Sequence, residues 1–317
     1  MKRIAGMAIA VLFAACTAST PGATTSEPTP TTPSTKAIAE AVYPVTIEAS
    51  NGPVTLAAKP QAIVSLSPTA TEMLFAVGAG SEVVAVDEFS YFPAEAPVTE
   101  LSGFAPNVEA IAAYEPDFVV LADDIDGVVG SLTDLGIPTV QMSGLEVQTL
   151  DDVYAQIRAL GMAVGHGIEA EELIVDMKAS IEESLASVEP RETPLTYYHE
   201  LDSTFYTVTS STFIGHLYSL FGLENIADPA DVDGASFGYP QLSEEYILEA
   251  DPDFIFLTDC CGDTIQTISA RPGWDDLSAI RASAVVVFDD DVSSRWGPRL
   301  VEFMRGIARA VSEKDPT

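Results

Sequence analysis

The sequence has few basic residues. Lysine and arginine together number 14, against 48 aspartates and glutamates among 317 residues, and the formal net charge is −34. A field of this sign repels the phosphate backbone of nucleic acids and the anionic surface of membranes. Nucleic-acid binding is therefore excluded, and attachment to a membrane would need an anchor other than a basic patch.

Residues that could carry catalysis or bind a bare metal ion are also scarce. The chain has three histidines, His166, His199 and His216, and none lies in a recognisable catalytic motif. It contains no Gly-x-Ser-x-Gly elbow, no His-Glu-x-x-His and no Walker loop. We therefore expect no enzyme activity, no intrinsic cofactor and no metal site. A binding protein for a bare transition metal remains an alternative.

The chain lacks a long apolar run of the kind that spans a membrane. It opens with MKR and an uncharged stretch over 4–15, shorter than the roughly 20 residues that a transmembrane helix needs. This is the pattern of a secretory signal peptide, which we place at 1–15. The Ala-Ala-Cys junction resembles the lipobox of bacterial lipoproteins and predicts lipidation of Cys16. A plain export signal cleaved nearby is the alternative.

Two further cysteines, Cys260 and Cys261, are neighbours in the sequence. With Cys16 assigned to the lipid, no framework of long-range disulfides is possible. The pair forms either a vicinal disulfide or two free thiols. A tetrahedral metal site would need more ligands than this segment supplies.

Residues 16–42 consist largely of Thr, Ser, Pro and Ala. Such a segment has too few bulky apolar side chains to offset the entropy lost on ordering, which predicts a flexible tether. The remaining chain is long enough for two lobes or domains.

An internal repeat is the most informative feature that is present. Residues 116–123 (PDFVVLAD) recur as 252–259 (PDFIFLTD), each after an amphipathic helical run. Their continuous apolar runs predict buried parallel strands. Residues 72–78 (EMLFAVG) likewise match 216–222 (HLYSLFG), a helix that ends at glycine. Two halves that alternate strands and helices predict two α/β lobes.

The segments 150–164 and 168–188, between the two halves, are helical by periodicity and composition. The second would be roughly 30 Å long and could join the lobes as a stiff strut. The cleft between the lobes is the expected ligand site, because open α/β sheets bind at the carboxyl ends of their strands. The predicted division is an N-terminal lobe over 43–150, inter-lobe helices over 151–190 and a C-terminal lobe over 191–317.

One carboxylate, Glu72, stands in the apolar helix that follows the first buried strand. Ser67 and Pro68 predict the N-cap and first turn of this helix. Its apolar face consists of Ala70, Met73, Leu74 and Val77. Because Glu72 lies almost opposite Leu74 on a helical projection, we expect its side chain to face solvent.

Loops after strand-like segments supply the candidate ligand-binding residues, which share an aromatic or basic side chain outside any helical periodicity. The candidates are Phe89, Tyr91, Phe104, Phe237, Tyr239, Arg295 and Trp296. Arg295 could grip a carboxylate or an iron-chelate oxygen while the Trp296 indole covers an apolar face. The alternatives are core positions for the aromatic residues and a surface ion pair for Arg295.

The order of these segments resembles the substrate-binding proteins of ABC importers for iron–siderophore complexes, haem and cobalamin. The resemblance covers 61–312 and is carried by 62–93, 106–121, the long helix, 212–227 and 240–257. It implies two Rossmann-like lobes joined by one long helix, the helical-backbone, cluster III type of periplasmic binding protein, with limited hinge motion.

The resemblance also implies a function. The protein would be a monomer held by its lipid on the outer face of the cytoplasmic membrane, where it captures a ferric siderophore, haem or cobalamin and delivers it to a permease. Members of the family dock one exposed glutamate of each lobe onto permease arginines. Glu72 matches the first of these, whereas His216 stands where the second is expected. A surface lipoprotein without a transport role is the remaining alternative.

Overall fold

The structure, a computed structural model, describes residues 42–261 and 263–314. The predicted signal peptide over 1–15 and the predicted lipidation site Cys16 lie outside the described residues, as does all of the predicted tether except Val42. Within the described ranges, no helix has the length and apolar character needed to cross a membrane.

The chain alternates strands and helices along most of its length. The strands are β1 (Val45–Ala49), β2 (Gly52–Leu56), β3 (Ile63–Leu66), β4 (Val83–Asp87), β5 (Val98–Leu101), β6 (Phe118–Leu121), β7 (Thr139–Gln141), β8 (Thr196–Glu200), β9 (Glu224–Asn225), β10 (Phe254–Thr258) and β11 (Val285–Phe288). The helices are α1 (Pro68–Ala76), α2 (Val108–Ala112), α3 (Val128–Asp134), α4 (Leu150–Ala163), α5 (Gly167–Ala186), α6 (Phe213–Ser219), α7 (Glu244–Ala250), α8 (Ile265–Ser269), α9 (Ser278–Arg281), α10 (Asp290–Ser293) and α11 (Leu300–Glu313).

Two parallel sheets organise the molecule. The first has the strand order β5-β4-β3-β6-β7 and the second β11-β10-β8-β9, and β1 and β2 form a separate antiparallel hairpin. We call the part built on the first sheet the N-terminal lobe and the part built on the second the C-terminal lobe. Because all strands of a parallel sheet run the same way, their carboxyl ends share one edge.

The internal repeat corresponds to equivalent strands in the two sheets. In the N-terminal lobe β6 pairs with β3, the lobe's first sheet strand, and in the C-terminal lobe β10 pairs with β8 in the same way. Every residue of β6 and β10 is buried. The prediction of buried parallel strands is confirmed at both copies.

One long helix, α5, connects the lobes. Helix α5 packs against α4, which contacts β1 and α1 of the N-terminal lobe, and against α11 of the C-terminal lobe. Its buried face includes Ile174, Met177 and Ile181, which belong to an apolar core shared by both lobes. The predicted fold class, two α/β lobes joined by one long helix, is confirmed.

His199 occupies a fully buried position in β8. Its Nδ1 lies 2.9 Å from the Tyr218 hydroxyl, and its Nε2 has no hydrogen-bond partner. Burial disfavours the charged imidazolium and lowers the pKa of His199 to about 4.

We expect His199 to make the protein less stable in acid. In the unfolded chain the pKa of His199 is about 6.5, so its imidazole binds a proton below that pH, whereas the buried imidazole of the folded protein stays neutral until about pH 4. The unfolded state therefore binds more protons in this range, and the free energy of unfolding decreases as the pH falls from 6.5 towards 4. This residue alone should lower the free energy of unfolding by about 2 kcal/mol between pH 7 and pH 5.

Urea unfolding at the two pH values tests this expectation. The stability gap between the parent protein and His199→Gln should narrow by that amount at pH 5. The control is His216→Gln, because His216 is only partly buried. A gap that stays constant with pH would contradict the assignment.

Candidate functional site

A cavity of about 560 Å³ lies between the two lobes. Its walls come from loops and a helix start that follow the strands of both sheets. The N-terminal lobe contributes Asp123, Gly144, Leu145, Val147 and Gln148, and the C-terminal lobe contributes Ser211, Thr212, Phe213, Ile214, Phe237, Tyr239, Ser294 and Trp296. The structure thus brings together three of the sequence-predicted ligand-binding residues, Phe237, Tyr239 and Trp296.

Phe237 is presented to the cavity at a conformational cost. Its backbone has φ +53°, a left-handed conformation that is strained for a bulky side chain, and the residue is 89% exposed. The Asp231 carboxylate holds the loop by accepting hydrogen bonds from the backbone N–H groups of Ser236 and Gly238, both at 2.7 Å. An exposed aromatic ring on a braced loop is suited to cover an apolar ligand surface.

Trp296 reaches across from the C-terminal lobe and contacts the N-terminal lobe. Its indole N–H donates to the Gln156 side-chain oxygen on α4 at 2.8 Å, and Gln156 Nε2 donates to the Ser143 carbonyl at 3.1 Å. The indole ring packs directly on Gly144, where any Cβ would collide with it. Trp296 therefore forms a cavity wall that is attached to the opposite lobe.

Arg295 does not line the cavity. Its guanidinium donates to Glu72 Oε1 at 2.9 Å, to the Phe89 carbonyl at 3.2 Å and to the Asp291 carboxylate, and its side chain is 10% exposed. These partners use three of its five N–H donors. The structure therefore places Arg295 in a buried ion cluster outside the cavity lining, contrary to our prediction.

Glu72 is buried, and the prediction that it faces solvent is wrong. Its carboxylate accepts hydrogen bonds from Arg295 and from Arg299, whose Nη2 lies 2.7 Å from Oε1 and whose Nε lies 3.1 Å from Oε2. The apolar face of α1 is buried as predicted. The opposite face is covered at Glu72 by the segment 294–299 of the C-terminal lobe, whereas Ala76, one turn later, is exposed.

The burial of Glu72 removes the basis for its predicted docking role, which required an exposed carboxylate. His216, its predicted counterpart, lies on α6 and is partly exposed. A docking role for His216 stays a prediction.

Three other candidates, Phe89, Tyr91 and Phe104, lie outside the cavity lining. All are exposed, and the rings of Phe89 and Phe104 meet edge to face with centroids 5.6 Å apart. The Tyr91 hydroxyl donates to Asp291 at 2.5 Å, which lies in the C-terminal lobe. Tyr91 thus helps to join the lobes, and the two phenylalanines form an exposed aromatic pair in the N-terminal lobe.

The cavity lining is polar and aromatic but nearly uncharged. Among the described residues that line it, Asp123 is the sole charged side chain, and there is no lysine, arginine or histidine. Its polar side chains already have partners within the protein: Ser294 Oγ donates to Asp290 at 2.8 Å, Ser211 Oγ lies 2.7 Å from Thr209 Oγ1, and Gln148 Nε2 donates to the Leu145 carbonyl at 3.3 Å. Their remaining oxygen lone pairs can accept hydrogen bonds from neutral donors such as amides. The lining therefore suits a ligand with neutral polar groups around an apolar surface.

In the loop after β10, Cys260 and Cys261 are joined as a vicinal disulfide, one of the two alternatives left open by the sequence. Over 42–261 and 263–314, no group of three or more His, Cys, Asp or Glu side chains is arranged to hold a metal ion.

Two parallel-sheet lobes, a connecting long helix and a cavity at the strand ends define a bilobal ligand-binding protein. Comparison with known sequences is consistent with this class. The chain belongs to the periplasmic binding protein family, whose profile matches residues 63–292.

Individual relatives extend this assignment over most of the chain. An ABC transporter substrate-binding lipoprotein of Bacillus subtilis, YvrC, is 31% identical over 281 residues, which cover 85% of this chain and 86% of the relative. The cobalamin-binding protein of Halobacterium salinarum is 32% identical over 282 residues, covering 84% of this chain and 74% of the relative. The haem-binding protein RhuT from a Roseiflexus species has a TM-score of 0.68 at 22% identity, covers 80% of this chain and 98% of its own, and shows the fold alone.

We expect Phe237→Ala to weaken ligand binding about fivefold, because stacking on an aromatic ring contributes about 1 kcal/mol. The free energy of unfolding should change by less than about 0.5 kcal/mol, since the ring is exposed. Calorimetric titration with the three ligand classes named by the resemblance, together with urea unfolding, measures both quantities. The matched control is Phe104→Ala, a ring that is 73% exposed outside the cavity lining, and equal losses of affinity in the two variants would argue against this site.

Proposed function

We propose that the protein is the extracytoplasmic solute-binding component of an ABC importer and that its ligand is a corrinoid of the cobalamin type. Family membership and the name of the Bacillus relative support the transport role. The name of the Halobacterium relative supports the ligand class.

The nearly uncharged cavity lining is the observation that carries the choice of ligand. Haem has two carboxylates, which pair with cationic side chains, and an iron that takes an axial ligand such as His, Cys, Met or Tyr. Among the described residues the lining offers no cationic side chain for the carboxylates and, of these axial ligands, only Tyr239. The rim of a corrin ring carries neutral carboxamides, which match hydroxyl and amide partners, and its ring offers apolar surface to Phe237, Tyr239 and Trp296.

Anionic ferric siderophores are disfavoured for the same reason. The two arginines nearest the cavity in sequence, Arg295 and Arg299, are paired with Glu72. The net charge of −34 adds long-range repulsion of an anionic complex.

Thermal unfolding with added ligands tests the ligand class. Cyanocobalamin at 100 times its dissociation constant should stabilise the protein by about 2.7 kcal/mol. Haemin and a ferric catecholate siderophore should leave the unfolding midpoint unchanged. Stabilisation by either of these, with none by cyanocobalamin, would refute the corrinoid assignment.

The proposed location follows from the N-terminal sequence. Cleavage of 1–15 would leave Cys16 as a lipid-bearing N-terminus on the outer face of the cytoplasmic membrane, with 16–42 as tether. A surface lipoprotein without a transport role would bind the ligand but would not support its uptake by cells.

We further propose that Glu109 and Glu245 are the residues that contact the permease. Both are exposed, and each lies in the first turn of a helix, α2 or α7, two residues after an N-cap, Asn107 or Ser243. They occupy the same position in the two copies of the repeat. These helices precede β6 and β10, so their N-termini lie towards the carboxyl edges of the sheets, the side on which the cavity opens. They meet the criterion of one exposed glutamate per lobe that Glu72 does not meet.

Replacing Glu109 and Glu245 by alanine should reduce cobalamin uptake by cells at least tenfold while the affinity of the purified protein for cyanocobalamin stays unchanged. A close charge pair across an interface can couple by ~1.5 kcal/mol or more, which is about a tenfold change in binding. The control is Glu183→Ala, since Glu183 is exposed on α5 outside the repeat. Uptake that survives the double substitution would contradict this docking surface.

A further inference from the structure

A short connection in the C-terminal lobe is attached to the N-terminal lobe. We call residues 294–299, between α10 and α11, the bridging segment. Arg295 and Arg299 bind Glu72 on α1, and Trp296 binds Gln156 on α4. The Arg299 guanidinium also lies over the Phe92 ring, 4.2 Å from its centroid. The segment belongs to the C-terminal lobe by sequence but to the N-terminal lobe by contacts.

The ion cluster beneath this segment is well shielded from water. The Glu72 side chain is 1% exposed and that of Arg299 is 14% exposed. Burial alone would lower the pKa of Arg299, but the hydrogen bond and charge of Glu72 outweigh it and raise that pKa above its usual value. A buried charge that loses its partner is strongly unfavourable, so the three side chains stay together or separate at a high energetic cost.

The bridging segment also supplies part of the ligand cavity. Ser294 and Trp296 line it, and they flank Arg295 in the sequence. The opposite wall, with Phe237 and Tyr239, lies on a loop that is held by Asp231 of its own lobe. One wall of the cavity is thus fixed to the N-terminal lobe and the other is carried by a separate loop.

We propose that Glu72 is a positioning residue for ligand binding. By pairing with Arg295 and Arg299 it holds the bridging segment on the N-terminal lobe and so fixes Trp296 in the cavity wall. Opening and closing of the cavity then occur between Trp296 and the loop of Phe237 and Tyr239. The choice of cyanocobalamin as the test ligand rests on the proposed function. The positioning of Trp296 by Glu72 does not depend on that function.

The C-terminal lobe offers a matched comparison for a purely structural role. Glu200 is also 1% exposed and accepts two hydrogen bonds of 2.7 Å from Arg271, which is 14% exposed. This pair lies within one lobe, and Arg271 packs on Trp274, 4.6 Å from the ring centroid. Glu200→Gln therefore removes a carboxylate of equal burial without touching the bridging segment.

The chain has two tryptophans, so full-length protein labelled with 5-fluorotryptophan gives two ¹⁹F signals, which Trp296→Phe assigns. In Glu72→Gln we expect the Trp296 signal to shift or split while the Trp274 signal stays in place. In Glu200→Gln we expect the reverse. Calorimetry with cyanocobalamin should show about a tenfold loss of affinity in Glu72→Gln alone, as when the competent arrangement falls to about a tenth of the population.

Two results would overturn the proposal. One is an unchanged Trp296 signal in a folded Glu72→Gln protein, and the other is a shifted signal with unchanged affinity for cyanocobalamin. If Glu72→Gln does not fold, Arg299→Lys serves instead, because lysine keeps the positive charge but cannot make the bidentate contact with the Glu72 carboxylate. If the parent protein fails to bind cyanocobalamin, the ligand assignment fails, and the ¹⁹F signals of the ligand-free variants still decide whether Glu72 positions Trp296.

Discussion

The desolvated Glu72 carboxylate is the interaction on which the relation between the two lobes depends. A carboxylate removed from water costs several kcal/mol unless opposite charges and hydrogen bonds replace its hydration. Arg295 and Arg299 supply both, and both come from the other lobe. Helix α11 begins directly after Arg299 and packs on α5. The first helix, the last helix and the connecting helix are thereby held in one arrangement.

The position of the cavity follows from the direction of the strands. Parallel strands need crossover helices, which bury both sheet faces and leave the strand ends as the place where loops can vary. The two copies of the repeat turn these ends towards a shared cleft, and loops after β6, β7, β8, β9 and β11 reach it. Affinity for a bulky ligand then depends on a few loop side chains, while the apolar core keeps the strands in place.

Local sequence patterns predict the elements well and the contacts between lobes poorly. The Ser67 cap, the buried strands at 116–123 and 252–259, and helices α4 and α5 rest on interactions within a few residues, and the structure contains all of them. The helical pattern around Glu72 assumes that one face of the helix meets solvent. That face is instead covered by Arg295 and Arg299, which are more than 220 positions away in the sequence. Aromatic content likewise marks loops without showing which side they face, so Phe237 lines the cavity and Phe89 does not. The repeat also relates Glu109 to Glu245, because each lies two residues after an equivalent N-cap, and the proposed docking surface rests on this equivalence.

The contact between Gly144 and the Trp296 indole has a consequence for how this scaffold can change its ligand. The ring sits where a side chain on residue 144 would otherwise stand, so the position of this cavity wall depends on glycine at 144. Alanine at this position would force the indole to move, and the hydrogen bond to Gln156 would have to lengthen or break. A single-carbon change in the N-terminal lobe would then reshape a wall built by the C-terminal lobe. One substitution at residue 144 would then change the space available to a ligand while Trp296, Phe237 and Tyr239 keep their identities.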